Sequence, residues 1–235
     1  MKTFMFFALS TLLITNSTQA SEWQTGISFS QVQLKLSGKI NIGGTYMYTE
    51  GEDSSDFDVN ENVNGLTASL SRGFGNSKSI NFRASGFATT ENDLNRSDIS
   101  ISYSQPLGGL TAGAGYYFND TEIGGNFVTN AGRIQIESAG LFASVQKTVE
   151  YSANFKGSLK GSILFGDYDM FFGTGGEDTY SSDTVGFSVG YSLIHLTQSG
   201  GVFNYGLEVR QLDYNGSSEN YGEEDNFVLS IGTFF

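Results

Sequence analysis

Apolar and polar residues alternate with a period of two along most of the chain, and no stretch sustains a helical period, so the pattern predicts strands only. The first predicted strand is GKINIGGTYMYTE, with Ile40, Ile42, Tyr46 and Tyr48 on one face. GLTASLS sets Leu66, Ala68 and Leu70 against Thr67, Ser69 and Ser71, and INFRASGFATT sets Ile80, Phe82 and Ala84 against Asn81, Arg83 and Ser85. DISISYS, LTAGAGYYF, FKGSLKGSILF, TVGFSVGYSLIHL and VFNYGLEVRQL continue the alternation, and the chain closes on NFVLSIGTFF. One segment breaks phase. RIQIESAGLFASVQK has Ile134 and Ile136 on even positions but Leu141, Ala143 and Val145 on odd ones, which predicts a bulge or a turn at 138–140.

The count is ten strands. It becomes twelve if 138–140 is a turn and SFSQVQLKL forms a strand of its own. Predicted connections alternate in length: short at 73–78, 105–109, 148–153 and 198–201, long at 50–61, 90–98, 119–130, 166–183 and 213–225. Such alternation fits an up-and-down barrel with both chain ends on the short-turn side, and a soluble sandwich has no reason to keep it.

The N-terminus sharpens the choice. MKTFMFFALSTLLITNSTQA carries Lys2, an apolar run from Phe4 to Ile14 and a small-residue site ending at Ala20, the pattern of a secretory signal peptide cleaved after Ala20. No later window holds the roughly 20 apolar residues of a spanning helix. The expected organisation is a signal peptide at 1–20, a periplasmic N-terminal segment at 21–34 and a barrel at 35–235. With 31 glycines, 20 phenylalanines, 12 tyrosines, one proline and no cysteine, the composition suits many strands held without disulfides.

The net charge of −13 excludes nucleic acid as a natural partner. Its distribution says more than its total. All acidic residues except Glu22, Glu137, Glu150 and Glu208 fall in the five long connections, whereas among the basic residues after the signal only Arg96 does. Segregation of sign implies a molecule with two unlike ends.

With its signal peptide, its alternating strands and the ending FVLSIGTFF, the chain resembles bacterial outer-membrane β-barrel proteins of the small porin-like kind. The resemblance implies an all-β, transmembrane antiparallel barrel in the outer membrane, both termini periplasmic, with lipid and lipopolysaccharide as surroundings. It also implies that Phe227, Leu229, Ile231 and the final Phe235 form the signal read by the outer-membrane assembly machinery; Thr233 departs from the aromatic or apolar residue usual at its position. In this reading the last strand pairs with GKINIGGTYMYTE to close the barrel.

Parity assigns Lys39, Arg83, Arg133, Glu137, Lys156, Lys160, Glu208 and Arg210 to the lumen, with Lys35 at its periplasmic end. One reading is a passive channel whose basic lining passes small solutes, anionic ones included. A second is a plugged polar core in which these cations pair with Glu137, Glu208 and Asp98. A third is a structural or adhesive barrel acting through its acidic loops, with Tyr168, Phe171, Phe172 and Tyr180 as an exposed aromatic patch. Acidic loops that share divalent cations with lipopolysaccharide are a further role, although Glu50 to Glu61 lacks the spacing of a calcium loop. No cofactor or resident metal is expected. Nor is enzymatic activity, because the single histidine, His195, falls on the lipid-facing parity two residues before a periplasmic turn.

Overall fold

The computed structural model describes residues 23–41, 54–74, 77–89, 94–124, 133–172, 178–214 and 221–234. These form ten strands: β1 (Trp23–Asn41), β2 (Ser54–Phe74), β3 (Lys78–Ala88), β4 (Leu94–Leu107), β5 (Leu110–Gly124), β6 (Arg133–Ser152), β7 (Phe155–Phe172), β8 (Asp178–Leu196), β9 (Val202–Tyr214) and β10 (Tyr221–Phe234). Each pairs antiparallel with its sequence neighbours, and β1 pairs with β10, so the sheet is a closed barrel with no free edge. Trp23 and Phe234 stand at one end, the terminal end, together with the turns between β4 and β5, β6 and β7, and β8 and β9; Asn41, Ser54, Leu94, Gly124, Arg133, Phe172, Asp178, Tyr214 and Tyr221 stand at the other, the loop end. The tightest turn, between β4 and β5, places Gly108 and Gly109 at φ of 56° and 82°, the left-handed pair that a two-residue hairpin needs.

Two opposite hydrophobic patterns share each strand. In the terminal half, apolar side chains point outward from every strand: Phe29, Leu66, Phe82, Ile99, Tyr116, Leu141, Phe165, Phe187, Leu207 and Leu229 are each between 40% and 66% exposed. Their inward neighbours are mostly serine, glycine, asparagine and threonine. In the loop half, the apolar side chains point inward. Leu34, Leu36, Val59, Leu94, Ile123, Ile134 and Ile136 are 0% exposed and pack in one cluster with Val63, Tyr168, Met170, Leu212 and Tyr214. The terminal half therefore needs an apolar exterior medium, while the loop half has an ordinary core and faces water.

This inversion corrects the expectation of a bulge or turn at 138–140. β6 runs unbroken through it, paired residue for residue with β5 and β7, and the one register irregularity on that strand lies at Glu150/Ser152. What changes at Ser138–Gly140 is the surroundings of the strand and not its backbone. Gly140 and Gly166 face each other there, and a Cβ on Gly140 would lie 2.2 Å from the Phe165 carbonyl oxygen, so only glycine permits this approach.

Three further expectations change. Residues 23–34 are the first half of β1 and not a periplasmic segment preceding a barrel that starts at 35; they pair with β10 from Gly26↔Phe234 onward. The closing partner of the last strand is thus Trp23–Asn41, and of GKINIGGTYMYTE only residues 38–41 belong to β1, the rest lying outside the described residues. SFSQVQLKL does form a strand, yet 138–140 does not turn, and the count among the described residues is ten. Finally, much of the long connections is strand: Asp120 and Glu122 in β5, Asp167 and Asp169 in β7, Asp183 in β8 and Glu223 to Asp225 in β10. Except for the inward Glu224, these carboxylates lie on the outward parity of their strands, and the barrel continues well beyond its apolar belt.

Candidate functional site

At the boundary between the two halves, charged side chains meet inside the barrel. Arg96, on β4, is 2% exposed; its Nε donates to Asp98 Oδ1 at 3.0 Å and its Nη1 to Glu224 Oε1. Glu224 belongs to β10, four strands away around the barrel, so the pair bridges the lumen. Glu224 also accepts from Tyr214 Oη at 2.8 Å and from Asn226 Nδ2. Asp98 accepts from Asn119 Nδ2 at 2.8 Å and lies 4.0 Å from Arg210, on β9, which itself donates to Glu208 at 3.3 Å. β4 and β9 are five strands apart in a ten-strand ring. Ion pairs therefore cross the barrel in two directions. The apolar cluster adjoins them, with Ile136 and Met170 in the same row as Arg96 and with Leu36 and Leu212 opposite Glu224, and it includes the edge-on Tyr168–Tyr214 pair, ring centres 5.0 Å apart.

On the terminal side, the lumen is lined by small hydroxylic residues that pair across strands, Ser79 with Ser104 at 2.7 Å and Ser162 with Ser188 at 2.6 Å. Most inward residues here are partly accessible, and Gln24, Thr148 and Glu150 on the rim are exposed. Arg83 and Lys160 point into this space; Lys156 sits at the rim and pairs with Glu150 at 2.6 Å.

The exterior of the loop half is acidic. Asp120, Glu137 and Asp169 lie directly opposite one another across β5, β6 and β7, as do Asp167 and Asp183 across β7 and β8, and Asp213 and Glu223 across β9 and β10. The Gln135 amide donates to both Asp120, at 3.1 Å, and Glu137, at 3.0 Å. Burial pushes the Asp120 carboxyl above its ordinary range, with Glu122 adding to it. Glu137 is also pushed up, by burial and then by the charges of Asp120 and Asp169. Among the described residues no cluster of three His, Cys, Asp or Glu side chains is placed to hold a metal ion.

Of the residues expected to line a pore, Arg83, Lys156, Lys160, Glu208 and Arg210 do point inward. Arg133 and Glu137 do not. They lie beyond the inversion, where odd positions of β6 face outward, and Arg133 pairs with Glu122 on the outer wall. Lys35 is likewise outward and exposed, in the loop half and not at the periplasmic end of a lumen. Lys39 lies near the loop end of β1, opposite Tyr221 and Asp56; its side chain is outside the described residues. Tyr168, expected in an exposed aromatic patch, is 1% exposed and part of the core; the side chains of Phe172 and Tyr180 are outside the described residues. Phe227, Leu229 and Ile231 form the outward face of β10, and Phe235 is outside the described residues. His195 lies at the terminal end, stacked on Phe155 with ring centres 4.4 Å apart. Arg96 and Glu224 were not among the expected site residues; the one hint was Arg96 standing as the only cation in an acidic connection.

No protein-family description matches the sequence, and no curated protein matches it. Solved structures do. The barrel is similar to the outer membrane protease OmpT from Escherichia coli, with a TM-score of 0.55 and 10% identity over 94% of this chain and 98% of that one. It also matches the outer membrane protein OprG from Pseudomonas aeruginosa, with a TM-score of 0.38 and 12% identity over 92% of this chain and 96% of that one. Neisserial surface protein A matches with a TM-score of 0.36 and 10% identity over 89% of this chain and 96% of that one. The chain has the fold of a bacterial outer-membrane β-barrel. At such identities the likeness is one of architecture, and the matched proteins include a protease.

Proposed function

We propose that the protein is a non-conducting barrel of the bacterial outer membrane, exported by its signal peptide and inserted with the terminal end toward the periplasm, which displays an acidic collar to the outside. The observation that carries this reading is the double closure of the lumen, by the cross-barrel Arg96–Glu224 and Arg210–Asp98 contacts and by an apolar layer whose central residues are 0% exposed. Ions do not pass a dry apolar layer without large rearrangement, because no group there replaces their hydration. A porin-like path would require both layers to withdraw.

The outer collar, with Asp213, Glu223, Asp225, Asp167 and Asp183 exposed above the lipid belt, is the surface presented to a partner. A like-charged wall attracts cationic surfaces and basic proteins, and steers them most strongly at low ionic strength. Divalent cations shared with lipopolysaccharide at the base of the collar are consistent with the same charge. Catalysis through an imidazole base finds no support: His195 is at the opposite end from the collar, on the outer face.

Conductance decides between the readings. Purified full-length protein in planar bilayers is expected to give no unit steps of current, whereas regular steps with intact protein would overturn the closed-barrel reading.

A further inference from the structure

We propose that the terminal half of the lumen is a blind, water-filled cup that binds a small oxyanion, a phosphate or carboxylate on a solute entering from the terminal end, between Arg83 and Lys160. The cup is blind only if the ceiling proposed above holds; its chemistry does not depend on that. Arg83 on β3 and Lys160 on β7 both point into the barrel, four strands apart around the ring, yet both are exposed. Inward side chains can be exposed only where the interior holds space for water.

Neither cation has an acidic partner within 4.0 Å among the described residues. Lys160 instead lies 5.8 Å above the Phe142 ring, which engages one face of the ammonium and leaves N–H donors free. The carboxylate near enough to act on both is Glu208, and Arg210 already holds it at 3.3 Å. Around the ceiling, the carboxylates Asp98 and Glu224 are held by Arg96, and Glu208 by Arg210, while Arg83 and Lys160 form no ion pair among the described residues. Walls of low dielectric strengthen the field that these two cations present toward the open rim. Guanidinium and ammonium groups across a gap from each other, each with free donors, are suited to an oxyanion with several acceptor oxygens.

The test is calorimetric titration of the detergent-solubilised full-length protein with inorganic phosphate and, separately, with succinate, which tells a phosphate preference from a carboxylate one. Saturable binding of at least one anion is expected. Arg83→Gln and Lys160→Gln should each weaken it roughly tenfold, the scale of one lost charge-assisted hydrogen bond. Lys35→Gln, exposed on the outer wall, should bind as the parent does. No saturable binding of either anion, or parental affinity in both lumen variants, would overturn the proposal. Conductance on the same preparation separates the two readings: current with binding retained overturns the closed ceiling and leaves the site standing, while no current and no binding does the reverse.

Discussion

The two halves of this barrel are built from the same ten strands and solve opposite problems. Along β6, Leu141, Val145 and Val149 turn outward in the terminal half, while Ile134 and Ile136 turn inward in the loop half, without a break in the ladder. Period two only fixes which residues share a face; the medium decides which face is apolar. Where lipid surrounds the sheet, lumen-facing serines and glycines are tolerated because water fills the lumen. Where water surrounds it, the lumen becomes a core and the outer wall takes the carboxylates. The comparison teaches that the phase of an amphipathic strand, followed along its length, locates the membrane boundary.

The largest test strikes the junction. Arg96→Met removes the cation that neutralises Glu224, which is 0% exposed, and leaves a buried carboxylate without its partner. Breaking a buried pair from one side costs about 3–5 kcal/mol, so reversible urea unfolding in detergent should show a loss of that order. A loss no larger than a surface substitution produces would mean that the cross-lumen contact does not hold the halves together.

Next in size is a matched pair on one strand. Ile136→Ala, in the loop half, opens a cavity in a packed core and should cost about 2–5 kcal/mol. Leu141→Ala, 66% exposed in the belt, leaves a space that lipid tails fill, so its cost should stay below about 1 kcal/mol in a bilayer. Equal losses at both positions would erase the distinction between the halves.

The terminal half was legible from sequence because alternation there places apolar residues on one face throughout, as in Leu159, Ile163 and Phe165 of β7. The loop half was not, for a physical reason. Its strands alternate just as strictly, but their polar face carries Asp120, Glu122, Asp167, Asp169 and Asp183, residues with the composition of a loop. Taking Ile134 and Ile136 as lipid-facing beyond a break at Ser138–Gly140 put Arg133 and Glu137 in the lumen, whereas the unbroken strand keeps odd positions outside. Reading 166–183 as a connection put Tyr168 in an exposed patch, whereas it is buried in the core. Pairing of Arg96 with Glu224, across 128 residues of sequence and the width of the barrel, leaves no local pattern to read.

The smallest test concerns the collar itself. Like charges directly opposite in a sheet destabilise it, and Asp120, Glu137 and Asp169 form such a row, relieved in part by the Gln135 amide. The folded state holds the Asp120 and Glu137 carboxyls above their ordinary range, so it favours their protonated forms more than the unfolded chain does. Below the ordinary carboxyl pKa both states are protonated and the row costs nothing. As pH rises through that value toward the raised one, the unfolded chain ionises first and the fold loses stability; above the raised value the penalty is complete. Glu137→Gln should therefore stabilise the barrel at neutral pH by a few tenths of a kcal/mol, within the roughly 0.2–1 kcal/mol of one cross-strand pair. The gain should shrink in high salt, which screens exposed charges, and vanish in acid. A gain that persists unchanged in acid would trace to packing instead, and a loss at neutral pH would mean that a cation, and not repulsion alone, occupies the row.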